Sequence, residues 1–402
     1  MLYTFLAITM FPLLSPVNKW IKTDGSAVSA PGKVLIAGGY LILDPEQIGL
    51  VIALSARIHV VIQEDGEIQA ENGAVITVTS PQFLNAQWKY KVITSDEGLR
   101  IENLYATFQC ELTYFSTPES SNDYVRITIS YVLAYLQLSS IPNIKITILA
   151  DNDYYSQASS PTYDHLRSLP RFNPLHIPLS KANKTGLGSS AALITSLTAS
   201  LLLFFTTISL DNDKRIIHNL AQAAHCAAQG KVGSGFDVAS AVYGSCIYQR
   251  FMPQVVDKVL LDSEVYENGF REKLRGLVEK EWEMSVTRFE LNPGLRVVMG
   301  DVSAGSATPS MVRSVLTWKA SEQGAMDVWG RLGLANRRLI DHFDQLKRFE
   351  TGDIIDELGK GIRRPRQSTR PQIYLALESI AKQFQVHSLP LTEFILGNSL
   401  ST

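Results

Sequence analysis

The sequence predicts a globular protein that combines β-strands and α-helices in more than one domain. Its 402 residues exceed the roughly 100–200 residues of a typical domain, so we expect about two or three domains. Strand-like and helix-like segments both recur along the chain. Hydrophobic residues make up 45% and charged residues 19%, a balance that excludes wholesale disorder and collagen-like or coiled-coil fibres.

The strand-like segments are rich in Val and Ile, and the helix-like segments carry apolar residues at helical spacing. The predicted strands are Val34–Ile36, Val51–Ile62, Val75–Thr79, Ile144–Leu149 and Leu295–Met299. The predicted helices are Asp123–Gln137, a run from the Gly186 loop to Phe205, Asp211–Gln229, Phe236–Tyr243, Thr308–Lys319 and Met326–Phe349. Pro253 follows the last helix rich in small residues, so we place a domain boundary near residue 250.

Both ends of the chain differ from its middle. The apolar stretch Leu2–Val17 is shorter than the ~20 residues that span a bilayer. It lacks the preceding positive charge of a secretory signal, because Lys19 is the first basic residue. We interpret residues 1–25 as a leader outside the fold, with a working signal peptide as the alternative. Residues 365–402 are interpreted as a solvated tail, although the arginines of 361–372 also suit a nuclear-localisation or phosphate-binding patch.

Charge and cysteine content restrict the partners and the compartment. The formal net charge is −2, without the basic excess of a nucleic-acid-binding protein. Cys110, Cys226 and Cys246 form no C-x-x-C pair, which excludes a disulfide framework and a zinc ribbon and favours a reducing compartment. We therefore expect a cytoplasmic protein with neither nucleic acid nor membrane as partner. A peroxisomal location is the alternative, without a recognisable signal. The oligomeric state is not predicted.

The strongest local signal is a Gly-rich segment, Lys184–Ala191 (KTGLGSSA), directly before an apolar helix. The first turn of a helix carries unpaired N–H groups and the positive end of its dipole, and glycines let a phosphate approach the backbone. Ser189 and Ser190 are candidate caps whose hydroxyls suit a phosphate or a magnesium ion. The segment is not a Walker loop, because its lysine precedes the glycines. A plain Gly-rich turn with a serine cap is the alternative.

Two further segments carry candidate catalytic side chains. Ser29–Lys33 (SAPGK) places Lys33 at the start of a strand, where it can point into a cleft or be a solvated strand-end lysine. Gly233–Asp237 (GSGFD) places Asp237 at a helix start, where it is either an N-cap or a catalytic carboxylate.

The histidines and cysteines of the following helix are interpreted as structural. His218 and His225 lie seven residues apart and share a helix face, but they lack the i, i+4 spacing of a metalloprotease helix. Cys226 and Cys246 lie among small residues and are interpreted as buried packing thiols.

These three segments, in this order, make the chain resemble the GHMP kinases, which include galactokinases, homoserine kinases and mevalonate kinases. Ser29–Leu41, Asp153–Gln157, Lys184–Ala191, His218–Asp237 and Met299–Asp301 carry the resemblance, which extends over about residues 26–360. The segments GSGFD and YSQ are similar to those of fungal-type phosphomevalonate kinases in particular.

The resemblance implies an α+β fold of two domains. The first, residues 26–250, would be the ATP-binding GHMP domain, like domain 2 of ribosomal protein S5. The second, 251–364, would be an incomplete ferredoxin-like domain. The implied reaction transfers the ATP γ-phosphoryl group to mevalonate 5-phosphate on the route to isoprenoids and sterols, with ATP and Mg²⁺ as cofactors.

The resemblance also implies a role for individual residues. Lys33 and Asp237 would be the catalytic pair, and Ser190 would reach the magnesium ion. The ATP-binding residues would be Lys184, Thr185, Gly186, Leu187, Gly188, Ser189, Ser190 and Ala191, and the substrate-binding residues Tyr40, Ser156, Gln157 and Ser234. A phosphomonoester is mostly ionised at pH 7, so we expect Asp237 to orient Lys33 or magnesium rather than to remove a proton.

The chain departs from the family pattern in two places. No counterpart of the late G-A-G-G-Y-D segment follows Arg364, and Cys226 occupies the position at which mevalonate kinases carry a magnesium-binding glutamate. Two alternatives therefore stay open: a GHMP kinase for another acceptor such as mevalonate, and an ATP-binding homologue with impaired catalysis.

Overall fold

The computed structural model describes residues 26–66, 73–95, 98–104, 122–156, 162–256, 267, 269–292, 295–299, 308–354, 372, 375–380 and 382. The leader 1–25, the Arg-rich segment and Asp301 lie outside these described residues. Within them, a mixed sheet is covered by helices, which confirms the predicted α+β class.

The sheet of the described part has eight strands. They are β1 (Ser26–Ala37), β2 (Ile48–Glu64), β3 (Ala74–Thr79), β4 (Gln87–Ser95), β5 (Gly98–Asn103), β6 (Ile144–Ala150), β7 (Cys246–Gln249) and β8 (Ser285–Arg288). Their order is β5-β4-β3-β6-β2-β7-β8, and β1 pairs with β2. Only β3 and β6 pair in parallel among these strands; the other pairs are antiparallel.

The long strand β2 connects most of this sheet. Its first residues pair with β7, its last residues pair with β6, and β1 runs alongside from Leu50 to Ile62. Val and Ile recur along its length, and Val60 and Ile62 are completely buried. Such β-branched side chains favour an extended strand packed against a core.

The helices form a layer against the sheet. They are α1 (Asp123–Leu136), α2 (Tyr163–Ser168), α3 (Ser189–Phe205), α4 (Lys214–Gln229), α5 (Phe236–Tyr243), α6 (Phe270–Glu279), α7 (Thr308–Ser321) and α8 (Ala325–Leu346). Helix α3 is central: it contacts β1, β2, α1, α4 and α5. A helix that is apolar nearly all round is expected in such a buried position. The largest core cluster fills the space between the sheet and α1, α3, α4 and α6.

A second core cluster joins α8 to β2. Leu50 and Ile52 of β2 pack with Leu339, Phe343 and other apolar residues of α8. Helix α8 also contacts the short 3₁₀ turn Gly39–Leu43 that follows β1. The C-terminal helices are therefore attached to the part of the sheet that carries Lys33.

Most predicted elements are confirmed, and one strand is wrong. Leu295–Met299 has strand-forming residues, but only Val298 makes a bridge, because no described strand runs beside the segment. The division at residue 250 stays a prediction; β8, which lies beyond it, pairs with β7 in the same sheet. None of the helices in the described ranges is both long and apolar enough to cross a bilayer.

Candidate active site

The Gly-rich segment forms a tight loop that ends in the first turn of α3. Gly186 has φ +75° and Gly188 has φ +81°, a backbone region that side chains with a Cβ rarely adopt. Gly188 is the N-cap, and no side chain caps the helix, so the predicted serine caps are wrong. The first helical hydrogen bond runs from the Ala192 N–H to the Gly188 carbonyl. The N–H groups before it lie at the positive end of a 17-residue helix, a natural anion site.

Backbone hydrogen bonds fix this loop to its neighbours. The Thr185 N–H donates to the Tyr154 carbonyl at 3.1 Å, and the Thr185 hydroxyl donates to the Asp153 carbonyl at 2.6 Å. The exposed Lys184 forms a β-bridge with Tyr155. The Lys33 N–H donates to the Leu187 carbonyl at 2.8 Å. The loop therefore cannot shift without breaking contacts to both β1 and the Asp153–Tyr155 segment.

Lys33 lies inside β1 rather than at its start, next to a register shift between Pro31 and Lys33. Its ammonium donates to the Gly186 carbonyl at 3.4 Å and lies 5.5 Å from the centre of the Phe236 ring. Its methylenes pass over Gly188 so closely that a Cβ there would lie 2.9 Å from Lys33 Cε. Burial lowers the pKa of Lys33, and the negative charge of Asp237 partly opposes this effect.

Asp237 lies in the first turn of α5, next to Phe236. Gly235, with φ +82°, is the N-cap of this helix, so the interpretation of Asp237 as a simple cap is wrong. The Asp237 Oδ1 accepts from the Val238 N–H at 3.0 Å, and its side chain is 22% exposed. A backbone contact on one carboxylate oxygen leaves the other oxygen directed to the site.

His225 connects the loop to Asp237. Its Nε2 lies 3.2 Å from the Ser190 hydroxyl and 3.0 Å from the Gln229 amide nitrogen, and its Nδ1 lies 3.9 Å from Asp237 Oδ2. The ring is only 3% exposed. His225 therefore borders the site, and its interpretation as a structural histidine stays a prediction; His218 is buried beside Asn219.

Comparisons with known proteins fit this arrangement. The sequence profile described as the GHMP kinases N terminal domain matches residues 163–245. The chain is 45% identical to the phosphomevalonate kinase of Gibberella zeae over 342 residues, which covers 80% of this chain and 73% of that protein. It is 40% identical to the phosphomevalonate kinase of Aspergillus fumigatus, covering 78% of this chain and 70% of that protein.

The chain belongs to the phosphomevalonate kinase family of GHMP kinases. A solved structure of the phosphomevalonate kinase of Streptococcus pneumoniae, in complex with phosphomevalonate and AMPPNP, shares the fold. Its TM-score is 0.51 at 16% identity, and the likeness covers 90% of this chain and 78% of that one.

The substrate-binding residues predicted from the family are only partly brought to the site. Ser234 lies in the turn before Gly235, and its carbonyl accepts from the Tyr248 hydroxyl at 2.9 Å. The Ser156 N–H donates to the Asn183 carbonyl beside the loop. Tyr40 packs in a cluster with Leu41 and α8, and burial raises its pKa. Gln157 lies outside the described residues.

A cavity of about 250 Å³ adjoins the loop on the Thr185 side. Its walls combine apolar and polar side chains: Leu54, Ser55, Ala56, Asp153, Thr185, Leu187, Val297 and Met299. A neighbouring cavity of about 270 Å³ shares Ser55, Ala56 and Asp153 and extends to Arg171. The sequence contained no spacing signal for this cavity, because β2, the loop and residues 295–299 meet only in the fold.

Proposed function

We propose that this member of the family transfers the γ-phosphoryl group of ATP to the phosphate of mevalonate 5-phosphate, which gives mevalonate 5-diphosphate. The observation that carries the proposal is the convergence of Lys33, Ser190 and Asp237 at the N-terminus of α3. The family membership supplies the acceptor. The free, buried thiols of Cys226 and Cys246 fit a reducing compartment, and the cytoplasm is the location we propose.

ATP would bind with its phosphates on the loop from Lys184 to Ala191. The positive end of α3 stabilises their charge, and the glycines allow close approach to the backbone. The nucleoside would occupy the adjoining cavity, where Leu54, Leu187 and Met299 offer apolar surface and Asp153 offers polar contacts. Pockets of this mixed character are typical of small-molecule sites.

The donor set at Ser190 and Asp237 fits a magnesium ion. Mg²⁺ prefers oxygen ligands and is usually held by one or two carboxylates together with substrate phosphates and water. The Ser190 hydroxyl and the Asp237 carboxylate supply hard oxygens on either side of His225. The described residues hold no cluster of three or more His, Cys, Asp or Glu side chains that would compete for the ion. The sulfur of Cys226 accepts from the Gln222 amide within the core, so it is not part of the donor set.

The main task of the protein is to bring two anions together. A phosphomonoester with a second pKa near ~6 is already mostly ionised at pH 7, so no base is required to activate it. Catalysis then depends on positioning and on stabilising negative charge. Lys33 would contact the transferred group, and the negative charge of Asp237 partly opposes the lowering of the lysine pKa by burial. Bound Mg²⁺ would neutralise further phosphate charge.

The activity is tested by incubating the chain with ATP, Mg²⁺ and either mevalonate 5-phosphate or mevalonate, with ³¹P NMR to identify the product. We expect a diphosphate from mevalonate 5-phosphate and no turnover of mevalonate. Turnover of mevalonate alone would select the alternative acceptor. Binding of AMPPNP without any turnover would select the impaired homologue.

The orienting role of Asp237 is tested with Asp237→Asn. We expect kcat to fall by roughly 10²- to 10³-fold, as for the loss of one electrostatic group in a water-excluded site. The loss should persist across pH 6–9, because the acceptor needs no general base. A rate that returns to the wild-type value at high pH would contradict the role.

A further inference from the structure

Two side chains at the end of β7 hold the loop that precedes Asp237. The Tyr248 hydroxyl donates to the Ser234 carbonyl at 2.9 Å, and the Arg250 guanidinium donates to the Gly233 carbonyl at 2.7 Å. The other terminal nitrogen of Arg250 donates to the Leu43 carbonyl at 2.7 Å. One planar guanidinium thus bridges two loops that are far apart in sequence.

Arg250 is an unusual residue for this position. It is only 5% exposed, and buried arginines are normally paired with a carboxylate. Within the described ranges no carboxylate lies within ion-pair distance of it, and its recorded hydrogen-bond partners are backbone carbonyls. Burial lowers its pKa, and the charge of Asp44 is among the weaker effects that oppose this. A buried charge without a paired carboxylate is costly. We therefore attribute the role of Arg250 to the two carbonyls that its planar guanidinium reaches rather than to its charge.

The two bridged loops carry Tyr40 and Ser234, which the family resemblance assigns to the acceptor side of the proposed site. Leu43 ends the 3₁₀ turn that contains Tyr40, and Gly233 and Ser234 lead through Gly235 to Asp237. Gly235 is tightly enclosed: a Cβ there would lie 2.8 Å from both the Tyr248 hydroxyl and the Phe251 ring. The ATP loop is anchored separately, through Leu187 and Thr185.

We propose that Arg250, assisted by Tyr248, is a positioning residue that sets the acceptor side of the site and leaves the ATP side unchanged. It holds the loop of Tyr40 and the loop of Ser234 at a fixed separation, and it thereby fixes Asp237. The kinetic consequence rests on the proposed function; the structural consequence does not.

The kinetic test compares Arg250→Lys and Tyr248→Phe with the wild-type chain. A lysine ammonium cannot reproduce the fork that reaches both carbonyls, so we expect the KM for mevalonate 5-phosphate to rise roughly tenfold, as for the loss of one charge-assisted hydrogen bond. The Kd of AMPPNP measured without Mg²⁺ should change by less than about twofold, because the loop Lys184–Ala191 is anchored separately from Asp237. Tyr248→Phe should give the same selectivity with a smaller effect, and it serves as the test if Arg250→Lys fails to fold.

Arg57→Lys is the matched control for loss of a buried guanidinium. Arg57 is half-buried, whereas Arg250 is buried, and it donates to the Ser29 carbonyl; the segments that it joins do not include Tyr40 or Ser234. It should lower thermal stability without a selective rise in the acceptor KM. Equal changes in acceptor KM and AMPPNP affinity in Arg250→Lys would overturn the proposal.

Hydrogen exchange of the unliganded protein gives a readout that needs no turnover. In Arg250→Lys, amide exchange should become faster at residues 43, 44 and 233–237 and stay unchanged at residues 184–187. Unchanged exchange at the first two segments would also overturn the proposal. A wild-type chain that does not phosphorylate mevalonate 5-phosphate would refute the proposed function, while the exchange result still decides the role of Arg250.

Discussion

Lys33 is subject to two opposing electrostatic effects. Its methylenes lie against Gly188, and burial favours its neutral form, whereas the carboxylate of Asp237 favours the ammonium form. Among the described residues its ammonium makes one long hydrogen bond, to the Gly186 carbonyl at 3.4 Å. Its remaining N–H donors are therefore available to a phosphate oxygen.

His225 offers a separate test at the residue scale. Its neighbours favour the tautomer with hydrogen on Nδ1: the Asp237 carboxylate lies 3.9 Å from Nδ1, beyond hydrogen-bond distance, and its negative charge favours an N–H there, while the Ser190 hydroxyl and the Gln229 amide can donate to Nε2. His225→Gln places an amide near the Nε2 position and retains the Ser190 contact. His225→Asn reaches only the Nδ1 position and loses it. We expect kcat to fall by roughly 10- to 100-fold in His225→Asn and by less in His225→Gln.

The readout for His225 includes the Mg²⁺ dependence of AMPPNP binding, measured by calorimetry. This dependence should weaken in His225→Asn and persist in His225→Gln. His342→Asn, a partly exposed position on α8 outside the site, is the control and should match the wild-type chain. Identical behaviour of the two His225 variants would show that its contacts to Ser190 and Asp237 have no separate roles.

At the scale of elements, the loop and α3 depend on Gly188. An added Cβ would strain the backbone at φ +81° and displace the Lys33 side chain. Gly230 is the matched control, because it has φ +64° at the end of α4 but nothing within 4 Å of its Cβ position. We expect Gly188→Ala and Gly230→Ala each to reduce the free energy of unfolding by about 1–2 kcal/mol. Only Gly188→Ala should also lose turnover; equal activity of the two variants would argue against contact between Lys33 and this glycine.

Helix α4 carries a pH-dependent contribution to stability. His218 is fully buried, and burial lowers its pKa to about 4 despite the opposing effect of the hydrogen bond that Asn219 Oδ1 accepts from its ring. Between pH 6.5 and 4 the unfolded chain therefore binds more protons than the folded chain, so stability is complete above pH 6.5 and is lost as the pH falls. Urea unfolding should show that the wild-type chain loses about 3 kcal/mol more over this range than His218→Gln. Parallel pH profiles would contradict this assignment.

The sequence predicted local elements better than the residues that meet between them. Val and Ile runs located β2 and β6, and the glycines located the loop, because these signals are local. His218 and His225 both lie beside α5, His218 against the Tyr243 ring and His225 near Asp237, and the sequence could not show which of them reaches Ser190. The sequence did not identify Gly188 as the cap, because that role depends on its positive φ. It predicted a strand at Leu295–Met299 from composition, but a strand also needs a partner, which the described sheet does not supply.

At the scale of the whole molecule, Asp44 attaches the C-terminal helices to the turn after β1. Its Oδ2 accepts from Lys319 of α7 at 2.8 Å and from the Trp329 indole of α8 at 3.0 Å. The Lys319 ammonium also lies 4.3 Å from the centre of the Trp329 ring. Burial raises the pKa of Asp44, but the hydrogen bonds from Lys319, Glu46 and Trp329 outweigh burial and hold its pKa below the usual value.

Asp44→Asn should therefore loosen α7 and α8 before the rest of the protein. We expect a loss of roughly 1–3 kcal/mol, because one partner of a half-buried, charge-assisted network becomes neutral. Limited proteolysis should cut first within residues 308–346. Asp327→Asn is the control, since Asp327 forms only an exposed ion pair with Arg331 and such pairs contribute little. Simultaneous cleavage throughout the chain would contradict a local attachment.

The length of β2 has a consequence for how the protein unfolds. The Ile48 end of this strand packs against α8, and its Glu64 end pairs with β6. Unfolding that starts at either end of β2 must pass through the same 17 residues before it reaches the other end. Cleavage of the backbone in the middle of β2 would separate the two parts of the sheet that this strand connects. Cleavage in β5, at the edge of the sheet, would leave them connected.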